Sequence, residues 1–336
     1  MRKIGTQTVT FENKPRIIGN YSVVGPKEGR GPMAGYFDYI LKDDLYGEKT
    51  YEKAEQKIME TAVMGAIEKA GLEPNDIDLF ISGDLLNQII SATFTAKDFD
   101  TSFIGLFGAC STMTESLSVG SCLVDGGYFT KVLCGTCSHF STAERQFRYP
   151  LELGTQRPPT SQWTVTGAGA TLLSLEGEEN PYIEMATFGK VCDYGVSDVN
   201  NMGAAMAPAA MHTLKAHFED TKRKPEDYDL ILTGDLGKLG SEILIDLMEK
   251  EGYPLNENYG DCGNLIFDKE QKTFMGGSGC GCSATVLNSY VLKKLKSGDY
   301  KSVLFLSTGA LLSTLSSQQG NTIPGIAHAI VIRRDE

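Results

Sequence analysis

The sequence predicts an α/β protein made of two similar halves, stacked as an α-β-α-β-α layered sandwich about a pseudo-twofold axis. Three observations carry this. Four short markers recur in the same order in both halves. Apolar runs of strand length end in small or polar residues. Helical apolar patterns lie between those runs.

The first marker is Pro74 to Leu85 (PNDIDLFISGDL), which matches Pro225 to Leu236 (PEDYDLILTGDL). Each copy reads as a polar turn, a buried parallel strand and a Gly-Asp at its carboxyl end. Next, Gly108-Ala109-Cys110-Ser111 matches Cys280-Gly281-Cys282-Ser283. Lys131 to Thr136 then matches Ser302 to Ser307, and Gly167 to Leu173 matches Gly325 to Val331. Among the helical patterns, Tyr51 to Ala70 places Ala54, Ile58, Ala62, Val63, Ala66 and Ile67 on one face. Ser111 to Val124 and Ala284 to Leu295 are mostly small and apolar, as helices buried between sheets would be. The halves are expected at 1–185 and 186–336, each running strand, helix, strand, helix, strand, strand.

The chain has 336 residues, is 41% hydrophobic and 22% charged, and carries a formal net charge of -12. That composition builds a folded core. The acidity excludes a general nucleic-acid binder, which needs a basic footprint, but leaves room for a local anion site. No apolar run reaches the roughly 18 residues of a membrane span. The first residues hold no apolar signal core, so an intracellular protein, peripheral to any membrane, is expected. Its eight cysteines are expected as reduced thiols.

Cys110 is the chief candidate for chemistry. It follows the apolar run Phe103 to Phe107 and opens a helix. Free N–H groups and the helix dipole at such a point favour either a thiolate nucleophile or a bound carboxylate. A buried, inert Cys is the plain alternative. Asp84 and Asp235 occupy symmetric strand ends, either as a carboxylate pair or as acceptors that cap a helix or fix a turn. Cys134 and Cys137 form a CxxC, but Cys134 falls inside a strand, so a redox role is not expected. Cys134, Cys137, Cys280 and Cys282 match no common zinc spacing. Gly276-Gly277-Ser278-Gly279 lacks the Lys of a phosphate loop. His212 and His217 read as surface or cap residues.

The duplicated half, the Cys at the start of a buried central helix and the glycine-bearing last strand pair resemble the thiolase and β-ketoacyl-ACP synthase III-like superfamily. The resemblance implies that Cys110 stands at the acyl-carrying position. It also implies a His after the first strand of the second half and an Asn or His before the second central helix. Thr233 to Gly237 and Gly279 to Ala284 contain neither. Without a base and oxyanion donors, standard condensation is not expected.

The joint set Gly83 to Gln88, Phe107 to Thr112, Ala143 to Pro150, Ala205 to Ala210 and Gly276 to Cys280 is similar to the stage V sporulation protein AD family over nearly the whole chain. That resemblance implies a non-enzymatic receptor for dipicolinic acid. It would act in uptake of the calcium chelate into the developing spore, beside other stage V sporulation protein A membrane proteins at the forespore or spore inner membrane. A homodimer is expected, and no cofactor beyond calcium accompanying the ligand. The expected ligand contacts are Cys110 and Ser111 at the helix start, their repeat mate Cys282, and Asp84, Asn87 and Ser278 from the shared motifs. Ser138 and His139 at a strand end, His328 in the last strand pair, Arg145 with Arg148 in a first-half insertion, and Tyr259 in a second-half insertion complete the set. The alternatives are a thiolase-fold acyltransferase using Cys110 with His328 or His139 as base, and a structural subunit of a membrane complex.

Overall fold

The computed structural model describes residues 2–147 and 156–335. In the first half, β1 (Arg16–Val24) leads into α1 (Tyr51–Lys69), β2 (Leu79–Asp84), α2 (Ile90–Asp98), β3 (Ser102–Gly105), α3 (Thr112–Asp125), β4 (Lys131–Ser138), α4 (Phe140–Phe147) and β5 (Gly167–Ser174). In the second, β6 (Tyr182–Thr187) precedes α5 (Met202–Thr221), β7 (Leu230–Thr233), α6 (Gly237–Lys250), β8 (Tyr259–Asp261), α7 (Cys280–Val286), β9 (Ser302–Ala310) and β10 (Gly325–Arg333). The strands run in the order β8-β7-β9-β10-β6-β1-β5-β4-β2-β3. That order is symmetric about the β6/β1 junction, where Tyr182 pairs with Arg16.

The expected parallel arrangement holds only for the outer strands. β2 lies parallel to β3 and β4, and β7 to β8 and β9. The pairs β4/β5, β1/β5, β9/β10 and β6/β10 are antiparallel. The last two strands of each half are antiparallel neighbours, although a short helix lies between them in each case, α4 in the first half and Thr314–Gln318 in the second. The strand that heads each half also escaped the sequence reading, because β1 (RIIGNYSVV) carries polar residues inside an apolar run.

Helices fill the layers as expected. α1 and α2 cover the outer face of the first half, and α5 and α6 that of the second. α3 lies between the sheets, touching β4 and β2 on one side and β9 and β10 on the other. Close packing at the centre depends on missing side chains: a Cβ on Gly169 of β5 would stand 2.3 Å from the carbonyl oxygen of Ala284 in α7. The central core joins residues from both halves, among them Met113, Leu117, Val286, Phe305 and Ile330.

The CxxC lies in β4, where residues three apart face opposite sides of the sheet. The Cys134 thiol donates to the Ser116 carbonyl of α3, and the Cys137 thiol to the carboxylate of Glu55 on α1. His217 corrects an expectation. It is buried rather than a surface residue, with Nδ1 2.8 Å from Thr187 Oγ1 and Nε2 2.6 Å from the Tyr228 hydroxyl. The helix continues past the segment read from the sequence and turns this face onto the sheet. Among the described residues, no helix is long and apolar enough to cross a membrane, and no cluster of His, Cys, Asp or Glu is placed to hold a metal ion.

Candidate functional site

A cavity of about 80 Å³ opens where the two halves meet. Its floor is built by the turn that joins β3 to α3. Ala109, Cys110 and Ser111 form one tight turn, with Ala109 in the left-handed region at φ 50°. A non-glycine residue costs energy there, so surrounding contacts must hold the turn. Ser111 supplies two of them, its N–H and hydroxyl both donating to the Gly108 carbonyl, at 3.0 and 2.7 Å. Gly309 of β9 backs the turn from the second half: a Cβ there would sit 2.2 Å from that same carbonyl oxygen.

Cys110 lines this cavity and packs with Leu85, Ala109 and Cys280. Asp235 is close enough for its charge to act on the thiol. Burial pushes the thiol pKa well up, and the charge of Asp235 and then Cys280 add to that. The fully buried Asp235 carboxylate accepts the Gly279 N–H at 2.9 Å, the Thr308 hydroxyl at 2.8 Å and the Ser278 hydroxyl at 3.3 Å. Burial raises its pKa to about 6, against the pull of those donors. Gly279 takes φ 94°, a conformation that glycine adopts without strain, and so aims its N–H at the carboxylate.

A short parallel ladder ties the halves together above this floor, Gly277 pairing with Trp163 and Ser278 with Thr164. Gln162, just before it, donates both amide protons, to the carbonyls of Asp235 at 2.7 Å and Gly277 at 2.8 Å. Its Oε1 is buried with no hydrogen-bond partner among the described residues. On the first-half wall, Glu144 of α4 pairs with Arg157 at 2.6 Å. Arg157 also donates to the Gln162 carbonyl and lies over the stacked rings of Phe140 and Trp163. Val199, Asn200, Met202 and Met206, at the start of α5, form the facing wall.

Of the residues expected from the sequence, Cys110 and Ser278 line the cavity. Ser111 is spent on its own turn. Ser138 ties the halves together, donating to the Val165 carbonyl and accepting the Gly281 N–H. Asp84 accepts the N–H groups of Leu86 and Ala92, each at 2.8 Å, fixing the turn into α2. His139 contacts the Asp44 carbonyl and the ring of Tyr51. His328, on β10 opposite Ser307, accepts the Gly189 N–H at Nδ1.

Arg145 faces outward to Glu52 at 2.8 Å and shares a separate open depression with Asn87. Arg148 lies outside the described residues. Tyr259 belongs to β8 rather than to an insertion, half-buried with its hydroxyl 3.0 Å from Thr233 Oγ1. Cys282 points away into the core with Cys262, so Cys280, two residues earlier, is the cysteine that meets Cys110.

Gln162, Glu144, Thr164 and Asn200 in the lining, with Asp235 and Cys280 behind it, are polar groups that the sequence reading did not assign to the site. The repeat does mark Asp235, as the mate of Asp84, and Glu144 and Cys280 fall within the segments Ala143 to Pro150 and Gly276 to Cys280. No motif marks Gln162, Thr164 or Asn200.

Comparison with known proteins agrees with this architecture. The family model for stage V sporulation protein AD (SpoVAD) matches residues 5–333. The stage V sporulation protein AD of Bacillus subtilis (strain 168) is 46% identical over 334 residues, covering 99% of this chain and 98% of that protein. Among solved structures, 3-oxoacyl-[acyl-carrier-protein] synthase III of Aquifex aeolicus VF5 superposes with a TM-score of 0.56 at 14% identity, covering 95% of this chain and 99% of that one. Cerulenin-bound OleA of Xanthomonas campestris gives 0.63 at 12%, covering 96% and 97%. At such identities these two establish the thiolase-like fold and nothing finer. The match along almost the entire length to the sporulation protein is of another order, and the chain belongs to the stage V sporulation protein AD family.

Proposed function

We propose that the chain is a non-enzymatic receptor for dipicolinic acid, acting in uptake of the calcium chelate into the developing spore, with the Cys110 cavity as its site. The observation that carries this reading is the partner of the thiol. Cys110 meets a carboxylate, and no described imidazole lines the cavity. A nucleophilic thiol needs a base and a lowered pKa, whereas this one is pushed up. The cavity suits a small flat ligand, with apolar wall surface from Leu85, Phe147 and Met206 and a few polar groups, among them Glu144 and Asn200 on opposite walls. Family membership supplies the sporulation context. Calorimetric titration with dipicolinate tests the reading: saturable heat supports it, and neither heat nor a thermal shift at millimolar ligand ends it.

The same reading includes a peripheral place at the spore inner membrane, beside the other stage V sporulation protein A membrane proteins. It also includes a homodimer through the outer edge of β3, which pairs with no further described strand and near which Ile90, Phe94 and Phe107 stand exposed. Light scattering after size exclusion tests the dimer; a monomer at micromolar concentration counts against it.

A second reading, acyl transfer through Cys110, is favoured by the strained Ala109 turn and the synthase-like fold. Incubation with acyl-CoA thioesters and intact-mass measurement decides it. An adduct lost in Cys110→Ala would replace the receptor reading.

A further inference from the structure

The groups that meet at the floor of the cavity are mostly acceptors. Asp235 is fully buried behind the lining, where it accepts the hydroxyl of the lining residue Ser278 at 3.3 Å and acts electrostatically on Cys110. Its other contacts are the neutral Gly279 N–H and Thr308 hydroxyl. The titratable groups packed around it are Cys110 from the turn before α3, Cys280 and Cys282 from α7, and Asp261 with Cys262 after β8. None is a cation. Asp261, engaged by Thr233 and by the N–H groups of Leu236 and Gly237, is a second buried carboxylate, its pKa raised to about 7 by burial, so it too is part-protonated near neutral pH and the Asp235→Asn variant separates the two. Gln162 contributes a buried Oε1 without a partner, its two protons already given to backbone carbonyls. Among the described lining residues none is Lys, Arg or His, and Glu144 brings a further carboxylate, paired to Arg157.

A dicarboxylate entering such a site meets negative charge in a medium of low dielectric, where like charges a few ångströms apart repel strongly. Charge must be compensated as the ligand arrives. Building on the dipicolinate reading above, we propose that anion binding in this cavity is proton-linked, Asp235 taking up one proton as the calcium-free ligand binds. The proton comes from solvent and goes to the Asp235 carboxylate, and the protein-ligand complex gains one positive charge for the two negative charges the ligand brings. A protonated Asp235 also turns from acceptor into donor toward the floor, and Gln162 Oε1 selects ligand edges that carry a proton or an ordered water. The raised pKa of Asp235 places this proton within reach near neutral pH.

Titration calorimetry of the full chain with dipicolinate, in phosphate and in Tris at one pH, counts protons through the difference in buffer ionisation heat. About one proton taken up per ligand is expected at slightly alkaline pH, with affinity falling about tenfold per pH unit as pH rises from roughly 6.5 to 8. Asp235→Asn is expected to bind with no uptake and a flat profile. Because that variant alters a fully buried group, the proton count on the unaltered protein stands by itself if the variant does not fold. Binding with zero uptake and pH-independent affinity overturns the proposal and leaves the receptor reading intact. So does uptake retained in Asp235→Asn but lost in Glu144→Gln. No binding at any pH overturns both.

Discussion

The thiol of Cys110, from the first half of the chain, meets the carboxylate of Asp235, from the second. The helix start alone would lower the pKa of this thiol, because N–H dipoles favour a thiolate. Burial and the neighbouring carboxylate act the other way, and the thiol is pushed up instead. The symmetric strand ends have thus parted in function. Asp84 folds back on its own half to hold Leu86 and Ala92, while Asp235 reaches the floor of the shared cavity.

Cys110 is expected to be a poor nucleophile. Alkylation by iodoacetamide near pH 7.5, followed by peptide mass mapping, should modify it more slowly than the part-exposed Cys192. Asp235→Asn should speed the modification of Cys110, because loss of the neighbouring negative charge favours the thiolate. Equal rates for the two cysteines in the unaltered protein would refute this account of the floor.

Gly309 is expected to set the position of the Cys110 turn. Gly309→Ala drives a Cβ toward the Gly108 carbonyl, so either the turn or β9 must shift. The expected loss is about 1–3 kcal/mol in urea unfolding, with weakened dipicolinate binding. Gly35→Ala, where a Cβ meets nothing within 4 Å, should change stability by less than about 0.5 kcal/mol and serves as the control.

Ala109 is expected to tolerate glycine and reject β-branching. At φ 50° a second Cβ substituent crowds the backbone, so Ala109→Val should cost about 1–3 kcal/mol in the same assay. A loss under about 0.5 kcal/mol would mean that the turn relaxes freely.

His217 is expected to make the fold acid-sensitive. Burial depresses its pKa from 6.5 to about 3. A His held neutral in the fold stabilises it fully above the unfolded pKa, and that contribution falls as pH drops toward the folded value. Relative to His217→Gln, the unaltered protein should lose about 2 kcal/mol between roughly pH 6.5 and 5, measured by paired denaturant titrations. Parallel curves would show that the ring charges without cost.

The repeat was legible because buried strands and their turns demand similar residues in both halves: LFISGD became β2, and LILT became β7 with Gly234-Asp235 just beyond its end. The helix from Tyr51 and the buried helix after Cys110 also followed from spacing. The site was legible only at Cys110 and Ser278, where local motifs sit on its floor. Gln162, Glu144 and the Val199 to Met206 wall come from segments with no repeat mate, and although Glu144 and Met206 fall within shared motifs, nothing local assigns any of them to the cavity. Cys280 and Cys282 show the limit of alignment by motif. The repeat matched Cys282 to Cys110, yet a two-residue difference along a helix turns a side chain by about half a circle, and Cys280 faces the cavity floor instead.

What the sequence determined by itself is the duplicated layered fold and the place of one thiol at a helix start, because periodicity and turn chemistry are local. Which carboxylate meets that thiol, and which amide is left with an open acceptor, was decided only by the packing of two halves whose contacting residues lie far apart along the chain. Those contacts depend on distances across an interface, and no pattern within either half encodes them.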